Sequence, residues 1–311
     1  MLYEYALEPD LLSNWKDFRY FTEKFGVSQG RLISRYPKRW KKMVYESLVD
    51  RDEIERKRIE EGLRLIDDRM LKRYHEWNPQ LDWLTNAEAE YSSRPFRAVL
   101  AKTNPRQREY VLEGASVSEE HPLWTVPKSP PVPRVAQKMA AHVAPLLRAS
   151  KEILFIDPHF SPERARYRRP LEAFLIAALD QRYGEPPTRI ELHTSDKLGE
   201  DFFKQECQRH LPDVIPMGVC VYLIRWRQKE GGEKLHNRFI LTDIGGVMFG
   251  VGLDDGDGAD GETDDIELLK DEKHRSRWAQ YQHSTGSEPA FELVGKVVVE
   301  GKAALHNEKV R

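Results

Sequence analysis

Cysteine is nearly absent from this chain. Cys207 and Cys220 are the only two in 311 residues, too few for a disulfide framework or a four-cysteine zinc site and in keeping with a reducing compartment. No apolar run approaches the ~18 residues that a membrane-spanning helix needs. The opening Met1-Leu-Tyr-Glu-Tyr5 lacks a basic stretch followed by an apolar one, so no secretory leader is read there and the expectation is a cytoplasmic chain. No internal repeat is found. A surplus of one charge is missing too: 49 Lys and Arg stand against 51 Asp and Glu, a formal balance of −2. That sum excludes no partner, because it hides where the charges sit. The length suits one large or two ordinary domains, and 40 % hydrophobic residues suffice for a core in either case.

Residues 1–90 are rich in helix formers and aromatics, with a turn at Phe25-Gly26 and a break at Tyr36-Pro37. They are expected to form a mainly helical module. Within it Arg31, Arg35, Lys38, Arg39, Lys41 and Lys42 come without an acidic residue and enclose Tyr36 and Trp40. Two readings stand: a nucleic-acid-binding surface that contacts phosphates, or a solvated helix face with two core aromatics. From Glu46 to Trp77, Val49, Ile54, Ile59, Leu63, Ile66 and Met70 follow one helical stripe, as a packed or dimerising helix would. Strand-like segments follow at 96–103 and 109–112. The run Pro127-Lys-Ser-Pro-Pro-Val-Pro133 is an extended connector, either a boundary or an internal loop.

After the connector, strands at 153–156, 189–193 and 219–224 alternate with helices at 134–150, 170–183 and 200–210. This order predicts a largely parallel sheet with helices packed against it, and with active-site groups at strand ends. A hairpin of 238–241 with 247–251, an acidic loop over 254–267, a helix near 268–281 and a strand over 291–299 complete the chain.

The stretch most suggestive of chemistry is Leu235-His236-Asn237-Arg238-Phe239-Ile240-Leu241-Thr242-Asp243. His236 and Arg238 are two apart, so on a strand they project to one face. A histidine can act as a nucleophile near neutral pH, and a guanidinium beside it can hold a phosphate through two hydrogen bonds. The spacing resembles the phospholipase D superfamily, whose signature is His-x-Lys, four residues, Asp, six residues, then Gly-Ser-x-x-Asn. Here His236, Arg238, Asp243, Gly250 and Asp254 occupy the signature positions. Arg238 stands for the family lysine, Val251 for the phosphate-binding serine and Asp254 for the asparagine. The variant is similar to the phospholipase-D-like domain found C-terminal to microtubule-interacting-and-trafficking domains.

The resemblance implies an α/β fold over 91–311, with a mixed, largely parallel sheet flanked by helices. It also implies one of two functions. In catalytic members one histidine attacks phosphorus and a second protonates the leaving oxygen, without metal or cofactor. A chain with one motif would supply the second histidine by forming a homodimer. His236 would then be the nucleophile, Arg238 the phosphate clamp together with Gly250 and Asp254, Asp243 the organiser of the strand end, and Glu292 the carboxylate that orients the histidine. The alternative is an inactive module that binds nucleic acid or phosphorylated headgroups and dimerises. DNA or RNA is expected ahead of membrane headgroups, since basic stretches interleaved with aromatics are present and an amphipathic anchor is not. A nuclease of a bacterial defence system would suit such a chain.

Further candidates carry an ordinary alternative beside the functional one. Asp157-Pro-His159 reads as a strand-ending turn or as part of a cleft, and His193 as a core histidine or as a group facing that cleft. Trp278 and Tyr281 are either buried or available for base stacking. The acidic segment fails the calcium-loop register, because Ala259 and Asp260 fall where a ligand and a glycine are required. It is read as a mobile loop that folds over the basic helix behind it or screens the His236 site.

Overall fold

The computed structural model describes residues 2–127, 129–256 and 261–304. The chain divides into two compact units, Met1–Lys128 and Ser129–Arg311, so the proline-rich connector marks the boundary and residue 90 does not.

The first unit holds more helix than strand, yet it is an α/β unit built on a sheet rather than a helical module. It alternates strands and helices in the order β1 (Tyr3–Leu7), α1 (Trp15–Glu23), β2 (Arg31–Arg35), α2 (Trp40–Glu46), α3 (Glu53–Leu65), β3 (Met70–Lys72), α4 (Trp83–Ser93), β4 (Ala98–Ala101) and β5 (Val111–Glu113). The strands form one sheet in the order β3-β2-β1-β4-β5, with every pairing between them parallel. Its strands, three to five residues long and covered on both faces, lack the in-out alternation that marks a strand in sequence. Polar residues start the helices: Asn14 accepts from the Asp17 amide, Asp52 from Ile54 and Glu55, and Asp82 from Thr85. One face of the sheet packs Tyr5, Leu7 and Ile33 against Phe18, Phe21, Val44, Ile59 and Leu63. On the opposite face Ala6, Val99 and Ala101 meet Trp83, Leu84 and Ala87 of α4.

The expected long helix over 46–77 is therefore α3, a single 3-10 turn at Asp67–Arg69 and β3. Ile59, Leu63, Ile66 and Met70 reach the core, whereas Val49 and Ile54 are exposed. Tyr36 and Trp40 are core aromatics, and Arg31 is buried with its guanidinium 4.1 Å from the Trp124 ring centroid.

The second unit runs β6 (Pro131–Pro133), α5 (Ala136–Ala149), β7 (Glu152–Ile156), α6 (Ala165–Leu179), β8 (Arg189–Ser195), α7 (Glu200–His210), β9 (Cys220–Arg227), β10 (Arg238–Thr242), β11 (Gly245–Phe249), β12 (Thr263–Leu268), α8 (Asp271–Gln280) and β13 (Glu292–Glu300). Its sheet has the order β13-β9-β8-β7-β10-β11-β12-β6. β7, β8 and β9 are parallel, and the other pairings are antiparallel. This sheet is therefore mixed, not largely parallel. Part of the expected acidic loop is a strand: Asp264 and Ile266 of β12 point inward and are buried. The prolines of β6 sit on an edge, where the lost donors cost least.

Gly62 of α3 tests the packing of the first unit, because a β-carbon there would overlap the buried Phe18 ring of α1. Replacing a helical glycine by alanine ordinarily gains up to about 1 kcal/mol, while overpacking costs about 1–3 kcal/mol. Gly62→Ala is expected to lower the urea midpoint; an unchanged or raised midpoint would show that the ring yields freely.

Candidate anion site at one end of the eight-stranded sheet

β7 and β10 are antiparallel neighbours, and their last paired residues are Ile156 and Phe239. Asp157 and Arg238 come next on each strand, so the C-terminal end of β7 and the N-terminal end of β10 share one edge of the sheet. The β11 end joins them, because Arg238 pairs with Phe249 and Gly250-Val-Gly-Leu-Asp254 follows. The sequence pattern thus brings His236, Arg238, Gly250 and Asp254 together, and the structure adds Asp157, His159 and Lys197.

Arg238 is half-buried. Its Nε is buried without a hydrogen-bond partner, and among the described residues no carboxylate forms an ion pair with its guanidinium. His236 is exposed, and its Nδ1–H donates to the Lys234 carbonyl at 2.9 Å, which leaves Nε2 with its lone pair. His159 is also exposed. The Lys197 ammonium donates to its Nδ1 at 3.3 Å, which places the ring proton on Nε2. Partial burial and the Lys197 and Arg238 cations lower the pKa of His159.

Asp157 is 2 % exposed. One of its oxygens accepts the His159 amide at 2.9 Å and the other the Leu253 amide at 3.2 Å. Burial nevertheless pushes its pKa up to about 6; the two amides and Arg238 pull the other way, and the Asp254 carboxylate adds to the rise.

Asp254 does not face an incoming anion as a free charge. It is buried between Arg134, at 3.0 Å, and Arg166, whose Nε lies 2.8 Å from it. Nor are the loop amides free: Val251 donates to one oxygen of Asp264 at 3.0 Å and Gly252 to the other at 3.3 Å. Gly250 permits this approach, since a β-carbon there would lie 3.0 Å from Asp264 Oδ1. The position of the family serine thus contributes its amide to an internal carboxylate.

Two expected members fall outside the site. Asp243 lies at the far end of β10, where Oδ1 accepts the amides of Lys151 and Glu152 at 2.8 and 3.1 Å; it ties β10 to the start of β7. Glu292 begins β13, and β9, β8 and β7 separate that strand from β10. At ~4.8 Å per strand the separation is roughly 19 Å, too far to orient His236. Glu292 instead lies 3.9 Å from Arg227.

His193 does not face the cleft. It is fully buried, accepting from Trp226 Nε1 at 2.8 Å and donating through Nε2 to Glu191 at 3.0 Å. Burial raises the Glu191 carboxyl, but His193 and Arg189 outweigh it and hold the group well below the usual carboxylate range. Tyr281 is buried and Trp278 packs against the same core, which removes Tyr281 from base stacking. The described ends of the acidic segment are pinned by Arg134, Arg166 and Arg169 rather than by α8: Arg134 pairs with Glu262 at 2.9 Å and Arg169 with Asp255 at 2.9 Å. Residues 257–260 of that segment lie outside the described residues. Among the described residues no cluster of His, Cys, Asp and Glu could hold a metal ion, and no helix is long and apolar enough to cross a membrane.

The six cations of 31–42 do not form one surface. Arg31 donates to the Trp124 carbonyl at 2.8 Å inside the core, Lys41 pairs with Asp67 at 2.8 Å and Lys42 with Glu46 at 3.6 Å. Arg35, Lys38 and Arg39 make no such pair among the described residues.

A second concavity was not anticipated. A cleft of about 890 Å³ lies outside the C-terminal ends of β1 and β4, lined by Asp10, Trp15, Lys16, Tyr20, Lys102 and Val117 among others. This is the crossing point at which helices leave to opposite faces of a parallel sheet. Its helix terminus is occupied, however, since Glu55 accepts the Trp15 amide at 2.6 Å and Asn14 the Asp17 amide at 2.9 Å. The strand order that creates the cleft is not readable from residue patterns. Compared with known protein families and with curated proteins, the chain matches none.

The raised pKa of Asp157 has a measurable sign. The folded state binds this proton more tightly than the unfolded chain, so the stabilisation is full below about pH 4 and is lost as pH rises to about 6. The loss is about 3 kcal/mol on a scale of ~1.4 kcal/mol per unit. Asp157→Asn removes that titration. Urea unfolding at pH 4 and pH 7 should show a smaller stability drop in the variant than in the wild type; equal drops would contradict the assignment.

Proposed function

We propose that the Arg238 end of the eight-stranded sheet binds a phosphodiester, as a phospholipase-D-like module does. Arg238 carries this reading. A buried donor left without an acceptor costs about 1–3 kcal/mol, and the Nε of Arg238 is such a donor. A phosphate would meet it, and the planar guanidinium can present two parallel donors to two phosphate oxygens. His159, through Nε2–H, and the Lys197 ammonium add donors around it. Asp254, paired with Arg134 and Arg166, is neutralised and does not repel the anion. Since the amides of Val251 and Gly252 are engaged, recognition rests on side chains. A nucleic-acid strand is preferred to a membrane headgroup as the partner.

Turnover is the second reading, favoured by the free Nε2 of His236. That nitrogen would form the bond to phosphorus as the ester P–O bond breaks, and the leaving oxygen would take a proton from a second imidazole. In a homodimer the second copy of His236 supplies it, and water then cleaves the P–N bond. Among the described residues no carboxylate orients the His236 ring, and this weighs toward binding without turnover.

A dinucleotide serves as the small phosphodiester probe, with divalent metals chelated. Arg238→Ala is expected to weaken its binding roughly tenfold or more, the effect of losing a charged hydrogen bond worth ~1.5–3 kcal/mol. Equal affinity in wild type and variant would sink the proposal. Longer DNA and RNA report turnover: metal-independent cleavage that His236→Ala abolishes, together with a dimeric mass, would establish hydrolysis.

A further inference from the structure

The first unit carries a cationic surface that owes nothing to Arg238. β2 ends on Arg35 and β3 on Lys72, and the parallel register sets these two side by side. After β2 the chain turns through Tyr36-Pro37 and presents Lys38 and Arg39, both exposed; after β3 it supplies the half-buried Tyr74 and Trp77. The Arg35 guanidinium lies 5.8 Å and the Lys38 ammonium 5.6 Å from the Tyr74 ring centroid. Arg39 lies 6.0 Å from the centroid of Trp77.

What separates these cations from their neighbours is the lack of a counter-charge. Arg31, Lys41 and Lys42 each pair with a carboxylate. Arg73 and His75, from the same stretch as Tyr74, turn to Glu4 and Glu90. Among the described residues, no carboxylate forms an ion pair with Arg35, Lys38, Arg39 or Lys72. Glu76, exposed in the same stretch, leaves the group with a clear positive excess. Gathered like charges repel one another, and a polyanion spanning them relieves that repulsion. Two partly accessible rings among the cations add a preference for flat groups. A single strand of nucleic acid offers repeated phosphates and unstacked bases together, whereas a duplex hides its base faces.

We propose that Arg35, Lys38, Arg39 and Lys72, with the rings of Tyr74 and Trp77, form a binding face for single-stranded nucleic acid. The proposal goes beyond the Arg238 reading and does not depend on it.

Fluorescence anisotropy of the full-length protein with a labelled 15-nucleotide oligothymidylate tests it, with a duplex of equal length and vesicles rich in anionic lipid as competitors. Replacing the exposed Lys38, Arg39 and Lys72 by alanine should lower the slope of log affinity against log salt by about 2, since each single-strand phosphate contact contributes roughly 0.7. Tyr74→Ala should weaken binding roughly tenfold with the salt slope unchanged, as lost stacking does. Lys42→Ala, which removes a cation already paired with Glu46, should leave affinity within twofold. Unchanged binding in the triple variant, or competition by vesicles or duplex as strong as by unlabelled single strand, would overturn the proposal. Arg238→Ala separates the two sites: if it abolishes dinucleotide binding but not oligonucleotide binding, only the Arg238 reading has been tested, and the face stands or falls on the triple variant.

Discussion

Three consecutive backbone amides, those of Val251, Gly252 and Leu253, are directed at two buried carboxylates, Asp264 and Asp157. The candidate site depends on this. A loop held by internal carboxylates needs no ligand to order it, and its amides cannot also hold a phosphate. In the proposed function the anion is then recognised by side chains from the neighbouring strand ends. Asp157 links the parts: one oxygen holds the loop after β11, the other holds the turn that carries His159, and its charge is felt by Arg238. Removing Asp157 would disturb both its own turn and the β10–β11 hairpin end, 96 residues later in the chain at Leu253.

The same accounting of charge explains why an acidic stretch can lie beside a candidate anion site. Asp254, Asp255 and Glu262 engage Arg134, Arg166 and Arg169, which belong to the entrances of α5 and α6. Their charge is largely spent within the fold: the Arg134–Asp254 pair is buried on both sides and shielded from solvent screening, while Arg169 reaches Asp255 from the surface. Among the described residues, Arg238 has no such partner. A balance near zero therefore conceals two populations, charges neutralised inside each unit and cations left unmatched at strand ends.

How much of this was legible in the sequence depended on strand environment. The hairpin of β10 and β11 and the alternation from α5 to β9 were readable because apolar runs are separated by amphipathic helices and glycine turns. In the first unit β4 and β5 were readable too, as the strand-like segments at 96–103 and 109–112, but β1, β2 and β3 were not: β1 and β2 read Tyr-Glu-Tyr-Ala-Leu and Arg-Leu-Ile-Ser-Arg, and short strands buried on both faces have no period of two. The site divided in the same way. His236, Arg238, Gly250 and Asp254 come from one stretch, so spacing could group them. Glu292 was misplaced because spacing within a chain does not disclose strand order. Asp157 and His159 were visible as residues, but their role follows from the antiparallel register of β7 with β10, a non-local fact. In the first unit, Lys72 joins Arg35 only through the pairing of β2 with β3.

β6 closes one side of the eight-stranded sheet with two prolines. The Arg134 amide points toward β12, since it bonds the Glu262 carbonyl at 2.9 Å, and alternation turns the Val132 amide the same way. The ring nitrogens of Pro131 and Pro133 therefore face outward, where they have no hydrogen to give. A strand arriving on that side would find acceptors without donors, so the sheet is chemically capped there. Its growth, whether by a second copy or by an extended peptide, is confined to β13, whose nine residues keep their amides.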